Sequence, residues 1–249
     1  MSSDRSGVVT HDRTSIANSS YDGSLNGVRY VSIEGNIGAG KSSVVKALTE
    51  FFSKEQDGEL GRINVVTRTE PLDDWIDILP DFYGDPSGNS LRLQMEILRS
   101  RMEQLHDLAA SSNFRQNERP LTVIERCPES SSDVFVPCLL RDGLMTKGES
   151  ESYKKWYALV QKMTSHELVG VIYIDASPST CMERIKKRSR EAETDVQMDY
   201  LTQLHDQYSV WLKDLKRSGV FVLRIDADLD GVDAVIQQVI DGILTLRNL

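Results

Sequence analysis

Eight consecutive residues carry the clearest chemistry in the chain. Gly35-Asn36-Ile37-Gly38-Ala39-Gly40-Lys41-Ser42 fits GxxxxGK[ST] at every fixed position, directly after an apolar run and before a helical one. Glycines let a backbone fold around an anion with successive N–H groups pointing inward. A helix opening at Lys41 would add its positive N-terminal end. In this pattern Lys41 reaches the β- and γ-phosphates of a nucleoside triphosphate, and Ser42, with Ser43 beside it in the first turn, stands at the Mg²⁺ position. The alternative is a chance match in a glycine-bearing turn, which the correct flanks disfavour. The motif does not separate kinases from GTPases or motor ATPases, although no Asn-Lys-x-Asp follows for guanine.

Further polar residues are placed by punctuation. The third β-rich run ends in Glu125-Arg126, at the strand edge where ligands bind in such folds, so Glu125 is a metal-ligand candidate; a solvated strand-end pair is the alternative. The second run ends in Glu70-Pro71, with Trp75 five residues on. Pro71 stops the strand and leaves Glu70 on the rim, where a carboxylate could accept the proton of an attacking hydroxyl; a capping acid is equally compatible. Gln94, Ile97, Leu98 and Arg101 share one helix face. The Gln94 amide offers a donor and an acceptor suited to a nucleobase edge, and Arg101 could add a second donor. A core ion-pair network is the other reading. Arg184-Ile185-Lys186-Lys187-Arg188-Ser189-Arg190 holds five cations in seven residues, either a lid over phosphates or a solvated face.

These residues need a frame that sets strand ends beside a helix start. Short β-rich runs at 30–34, 64–68, 121–125, 169–175 and 220–226 alternate with helical stretches at 41–53, 91–111, 150–165, 178–188, 197–217 and 231–246. That alternation predicts an α/β chain with one parallel sheet wrapped by helices. The 249 residues suit one domain over 28–249. Residues 1–27, rich in Ser, Asp, Asn and Gly, predict a disordered tail or an arm that docks on a neighbouring subunit. The formal charge of -9 argues against coating nucleic acid or an anionic membrane. No apolar run approaches the ~20 residues of a membrane helix. Cys127, Cys138 and Cys181 cannot all pair and form no CxxC, which suits a reducing, cytoplasmic setting, and the four histidines show no metal spacing.

Taken in order, the motifs resemble the deoxyribonucleoside kinase family, which includes the insect multisubstrate enzyme and the deoxycytidine, deoxyguanosine and mitochondrial thymidine kinases. The resemblance spans about Tyr30 to Asp230 and rests on Glu34 through Ser42, Glu70-Pro71 with Trp75, and Tyr83 with Asp85-Pro86 and Gln94. Glu125-Arg126, Arg184 through Glu193, Leu204-His205, Trp211-Leu212 and Asp226-Ala227-Asp228 complete it. It implies a P-loop NTPase-type three-layer fold with a five-stranded parallel sheet, a basic lid and a homodimer, with a tetramer open through the N-terminal arm. It also implies transfer from ATP with Mg²⁺ to a deoxyribonucleoside 5′-hydroxyl. By that similarity Glu70 is the base, Arg126 its partner, and Ser42 with Glu125 the Mg²⁺ site. Tyr83 and Glu193 match the sugar 3′-hydroxyl positions, Gln94 the base reader and Phe135 one aromatic plate. Arg184, Arg188 and Arg190 match the lid, and Asp226 and Asp228 the loop near adenine.

Departures bear on specificity. Leu93 replaces the opposite aromatic plate, and Ser131 stands where the usual aspartate partner of Arg101 would be. An arginine near the C5 edge disfavours thymine and suits purine N7, so a purine deoxynucleoside is expected first, deoxycytidine next and thymidine last. A nucleoside monophosphate kinase of the thymidylate type is an alternative, but it needs cations at the acceptor site, and between Glu70 and Gln94 there is only Arg92. A non-catalytic nucleotide switch would need neither Glu70 nor the lid.

Overall fold

The computed structural model describes residues 27–55, 65–111, 120–164, 166–190, 193 and 196–247. Strand β1 (Arg29–Glu34) is buried at every residue after the first. A strand covered on both faces reads as such a continuous run. It lies at the centre of a five-stranded, wholly parallel sheet of order β2-β3-β1-β4-β5, with β2 (Val65–Arg68), β3 (Leu121–Glu125), β4 (Glu167–Asp175) and β5 (Phe221–Asp226). The strands fall within two residues of the expected spans; the expected start of β2 at Asn64 lies outside the described residues. The N-terminal extension also lies outside them, Gly27 excepted.

The two-residue strand period sends alternate side chains to opposite layers. On one face Val31, Ile33, Ile172 and Ile174 pack with Val45 and Leu48 of α1 (Lys41–Glu55) and Val239 and Ile243 of α9 (Val232–Arg247). On the other, Tyr30, Ile124, Val171 and Tyr173 meet Leu105 of α3 (Pro86–Ser111) and Tyr208 and Trp211 of α8 (Met198–Arg217). Each fully buried aliphatic side chain contributes about 1.5–3 kcal/mol, so the sheet is a stiff platform whose C-terminal edge holds the polar residues.

The helices depart from the expected spans where caps decide. α3 starts at Pro86, not 91, because Asp85 caps it: its Oδ1 accepts from Gly88 N at 3.1 Å. The polar Gly88-Asn89-Ser90 stretch reads as loop in sequence but lies inside the helix. α6 (Lys147–Met163) starts three residues early, at a Thr146–Glu149 capping box. α7 (Pro178–Arg188) begins on Pro178 as expected, with Ser177 accepting from Thr180 N. Two helical segments were not expected. α2 (Leu79–Gly84) follows two 3₁₀ turns, and α4 (Pro128–Ser130) runs through a π-helical turn (Ser131–Phe135) into α5 (Val136–Arg141). Ser130, Ser131 and Ser132 are buried there, so a run that looks like a polar loop is packed interior.

Candidate active site

β1 delivers the glycine loop at the centre of the sheet edge, between β3 and β4, where the crevice of a doubly wound fold forms. Gly38 (φ 82°) and Gly40 (φ 101°) adopt left-handed backbone, and a Cβ at Gly38 would lie 2.6 Å from the Cys181 carbonyl. Only glycine fits both demands. Asn36 braces the loop: its Nδ2 donates to Leu201 O at 2.8 Å and its Oδ1 accepts from Ile37 N at 2.9 Å. Ala39 anchors it from the other side, its carbonyl accepting from Arg184 Nη1 at 3.0 Å.

Lys41 Nζ donates to the carbonyls of Gly35 (3.1 Å) and Asn36 (2.8 Å), and forms no ion pair among the described residues. Burial, and secondarily Arg126, lower its ammonium from 10.5 to about 8. Its direct contacts are neutral carbonyls, while Glu125, Glu70 and Glu34 act on it from further off. Ser42 Oγ donates to Glu125 Oε1 at 2.7 Å, and Glu125 is buried. These are hard oxygen donors, the set Mg²⁺ prefers when it arrives with phosphates and most of its water. No group of three or more His, Cys, Asp or Glu among the described residues could hold a metal alone, so the Ser42–Glu125 pair fits a nucleotide-borne cation.

Glu70 sits beside them. Its Oε1 accepts from Arg101 Nη2 at 2.7 Å and lies 3.6 Å from Arg126 Nη1, while its backbone N–H donates to Glu125 Oε2 at 3.5 Å. Burial pushes its carboxyl up, but Arg126, Arg101 and Lys41 overcome that and hold it below the usual carboxylate range. Arg126 keeps its proton against burial because Glu70 faces it. Arg126 is also one of two non-glycine residues at positive φ (60°) among the described residues. Such strain persists where surroundings over-determine it; here the β3 end, the Ile33 carbonyl and Glu70 do so. Its guanidinium stacks 4.9 Å from the Phe135 ring.

A single cavity of about 1060 Å³ joins these groups. At the loop end it is lined by Ile37, Gly38, Gly40, Lys41, Ser42 and Ser43. Glu70, Glu125 and Arg126 form its middle, and Trp75, Tyr83, Leu93, Gln94, Ile97 and Phe135 form the far end. Arg188, Arg190 and Glu193 line it from the basic segment, and Tyr200 was not foreseen there. Gln94 is buried, and its Oε1 has no hydrogen-bond partner. A buried acceptor left open is costly unless a ligand supplies the donor.

Other candidates have different surroundings. Arg101 and Ser131 do not line the cavity; the Arg101 guanidinium donates to Glu70, Cys127 O and Ser131 Oγ. These contacts are those of the ion-pair network, the other reading of this helix face; the buried Arg101 Nε has no hydrogen-bond partner among the described residues. Arg188 and Arg190 pair with Glu193, with Arg188 Nε donating at 2.7 Å. Arg184 Nη2 donates to Ala227 O at 3.1 Å, tying the glycine loop to the turn after β5. Asp226 Oδ1 accepts from the backbone of Asp228 and Leu229, and Asp228 from Ser177 N. Asp226 caps its own turn, Asp228 ties that turn to the start of α7, and neither lines the cavity.

Sequence reasoning missed Glu34 as chemistry. It is fully buried and accepts from Ser32 Oγ (2.7 Å), Cys127 N (3.0 Å) and Tyr208 OH (2.9 Å). A carboxylate ending an apolar strand just before the glycine loop was the available signal.

A family model described as deoxynucleoside kinase matches residues 31–246. A kinase-named protein of Invertebrate iridescent virus 3 is 33% identical over 79% of this chain and 88% of its own. The deoxyadenosine kinase of Dictyostelium discoideum is 32% identical over 86% of this chain and 80% of its own. Deoxycytidine kinase 2 of Gallus gallus is 29% identical over 81% and 83% respectively. The glycine cradle, the strand-end carboxylates and the reach of this match together mean that the chain belongs to the deoxynucleoside kinase family, enzymes that phosphorylate nucleosides.

Proposed function

We propose that the chain moves the γ-phosphoryl group of ATP onto the 5′-hydroxyl of a deoxyribonucleoside, giving the 5′-monophosphate. The observation that carries this reading is one cavity holding a phosphate cradle at one end and a chamber lined by Trp75, Tyr83, Leu93, Gln94 and Phe135 at the other, with Glu70 between them. The one cation between Glu70 and Gln94, Arg92, pairs with Asp81 at 2.9 Å. No free charge there awaits a second phosphate, which weighs against a monophosphate acceptor.

The residues divide the work. The loop backbone and Lys41 hold the triphosphate, and Ser42 with Glu125 would hold Mg²⁺, which would neutralise charge developing on the phosphates. Glu70 takes the proton from the acceptor hydroxyl, and Arg126 keeps Glu70 ionised. A weak base is sufficient in a loose transition state, where positioning dominates. Arg188 and Arg190 supply cations near the transferred group, and Tyr83 and Glu193 hold the sugar. Gln94 reads the base against Phe135, with Leu93 leaving the facing wall unstacked. The purine-first order rests on Leu93 standing where a second aromatic plate would be, and the open Gln94 acceptor suits an amino-bearing base, adenine or cytosine, over thymine.

A homodimer is part of the proposal: Trp156, Leu159 and Met163 leave an exposed apolar stripe on α6, which a second copy would cover. The three cysteines are free and buried, which fits a reducing cytoplasm. No described helix is long and apolar enough to cross a membrane.

The test is turnover of the four deoxynucleosides by wild type and Gln94→Ala. Wild type is expected to favour deoxyadenosine or deoxyguanosine. Gln94→Ala is expected to raise KM about tenfold, roughly the 1–3 kcal/mol of an unmade buried hydrogen bond, and to flatten the ranking. A deoxycytidine or thymidine optimum would defeat the purine order.

A further inference from the structure

We propose that Arg101 is a positioning residue for Glu70, and that helix α3 acts as a crosspiece setting the proton acceptor and the base reader on one rigid body. The inference rests on the reading of Glu70 as the proton acceptor in the reaction proposed above. Arg101 is 3% exposed and makes the shortest contact to the Glu70 carboxylate, 2.7 Å, against 3.6 Å from Arg126. Its other terminal nitrogen donates to Cys127 O at 3.1 Å and to Ser131 Oγ. The guanidinium therefore ties the corner after β2 to the corner after β3, and its planar fork fixes direction as well as distance. One turn along the same helix, Gln104 Nε2 donates to Thr69 O at 2.9 Å, holding the residue before Glu70. Two side chains of α3 thus hold the Glu70 corner, independently of Arg126.

Gln94 lies seven residues before Arg101 on the same helix face, about two turns or 10.5 Å away along the axis. A helix carrying both ends sets the spacing between nucleobase and proton acceptor, as a 5′-hydroxyl at fixed distance from its base requires. Ser131 is suited to this arrangement because it is an uncharged acceptor. It orients the fork without competing with Glu70 for the guanidinium charge.

The experiment compares kcat and KM of wild type, Arg101→Met, Arg101→Lys and Ser131→Ala on all four deoxynucleosides at saturating ATP. A misplacement of the acceptor by about 1 Å costs about 10²-fold, so Arg101→Met should lose about that factor in kcat by the same ratio on every base. Nucleoside KM should stay within about threefold. Arg101→Lys, which keeps the charge without the fork, should recover about tenfold of the loss, and Ser131→Ala should lose only a few-fold. If Arg101→Met does not fold, the lysine and Ser131 variants decide alone. Base-dependent losses, a KM change at intact kcat, or full activity in the variants would overturn the proposal. Wild type inactive on every deoxynucleoside would instead defeat the functional reading beneath it, so the two failures are distinguishable.

Discussion

Glu70→Gln should lower kcat by about 10²- to 10⁴-fold, the range a positioned proton acceptor contributes, with nucleoside KM within a few-fold of wild type. Glutamine keeps the shape and can still accept from Arg101, so the acceptor chamber is not rebuilt. What it loses is the negative charge that accepts the proton. The carboxylate is ionised throughout the neutral range, since Arg126, Arg101 and Lys41 outweigh the burial that pushes it up. Removing it leaves two buried guanidiniums without their shared counter-ion, which is itself destabilising. A melting curve must accompany the kinetics, with Glu70→Asp as the charge-preserving control. A folded Glu70→Gln protein with near-full kcat would show that another group takes the proton.

Lys41→Met is expected to cut kcat/KM for ATP by about 10²- to 10³-fold, the cost of losing one preorganised charge at the transferred phosphate. Nucleoside binding measured alone should not change, because Lys41 lines the other end of the cavity. The variant should also separate function from stability. The Lys41 ammonium lies at about 8 in the folded chain and 10.5 as its ordinary value. Its folded value is lowered, so the protonated form opposes folding; that penalty is full below about pH 8 and fades as pH rises towards 10.5. Methionine removes it, so Tm at pH 7 should be no lower than wild type, and any advantage should shrink at high pH. A Tm loss at pH 7 with ATP affinity intact would mean that Lys41 serves the fold rather than the phosphate.

The parts legible in sequence were those that local chemistry dictates. GxxxxGK[ST] is contiguous, and the φ demands of Gly38 and Gly40 are met by residue type alone. Pro71 marks where β2 must stop, which sets Glu70 on the rim, and the apolar run before Glu125 does the same for β3. The five parallel strands follow from the alternation of periods. What escaped depends on partners distant in sequence. That Arg101 turns to Glu70, 31 residues away, rather than to the cavity is a choice among acceptors that helix periodicity cannot make. The left-handed backbone of Arg126 and the burial of three consecutive serines from α4 into the π turn have no local signature either. That Asp228 accepts from Ser177 N, 51 residues away, likewise has no local signature.

The central claim is that phosphate leaves ATP only for a sugar alcohol presented to Glu70. Following ADP and deoxynucleoside 5′-monophosphate together, with Mg²⁺ present and acceptor added or omitted, tests it most directly. The account predicts one monophosphate formed per ADP with acceptor, and negligible ADP without it. ADP formed at the same rate whether or not a deoxynucleoside is supplied would contradict it.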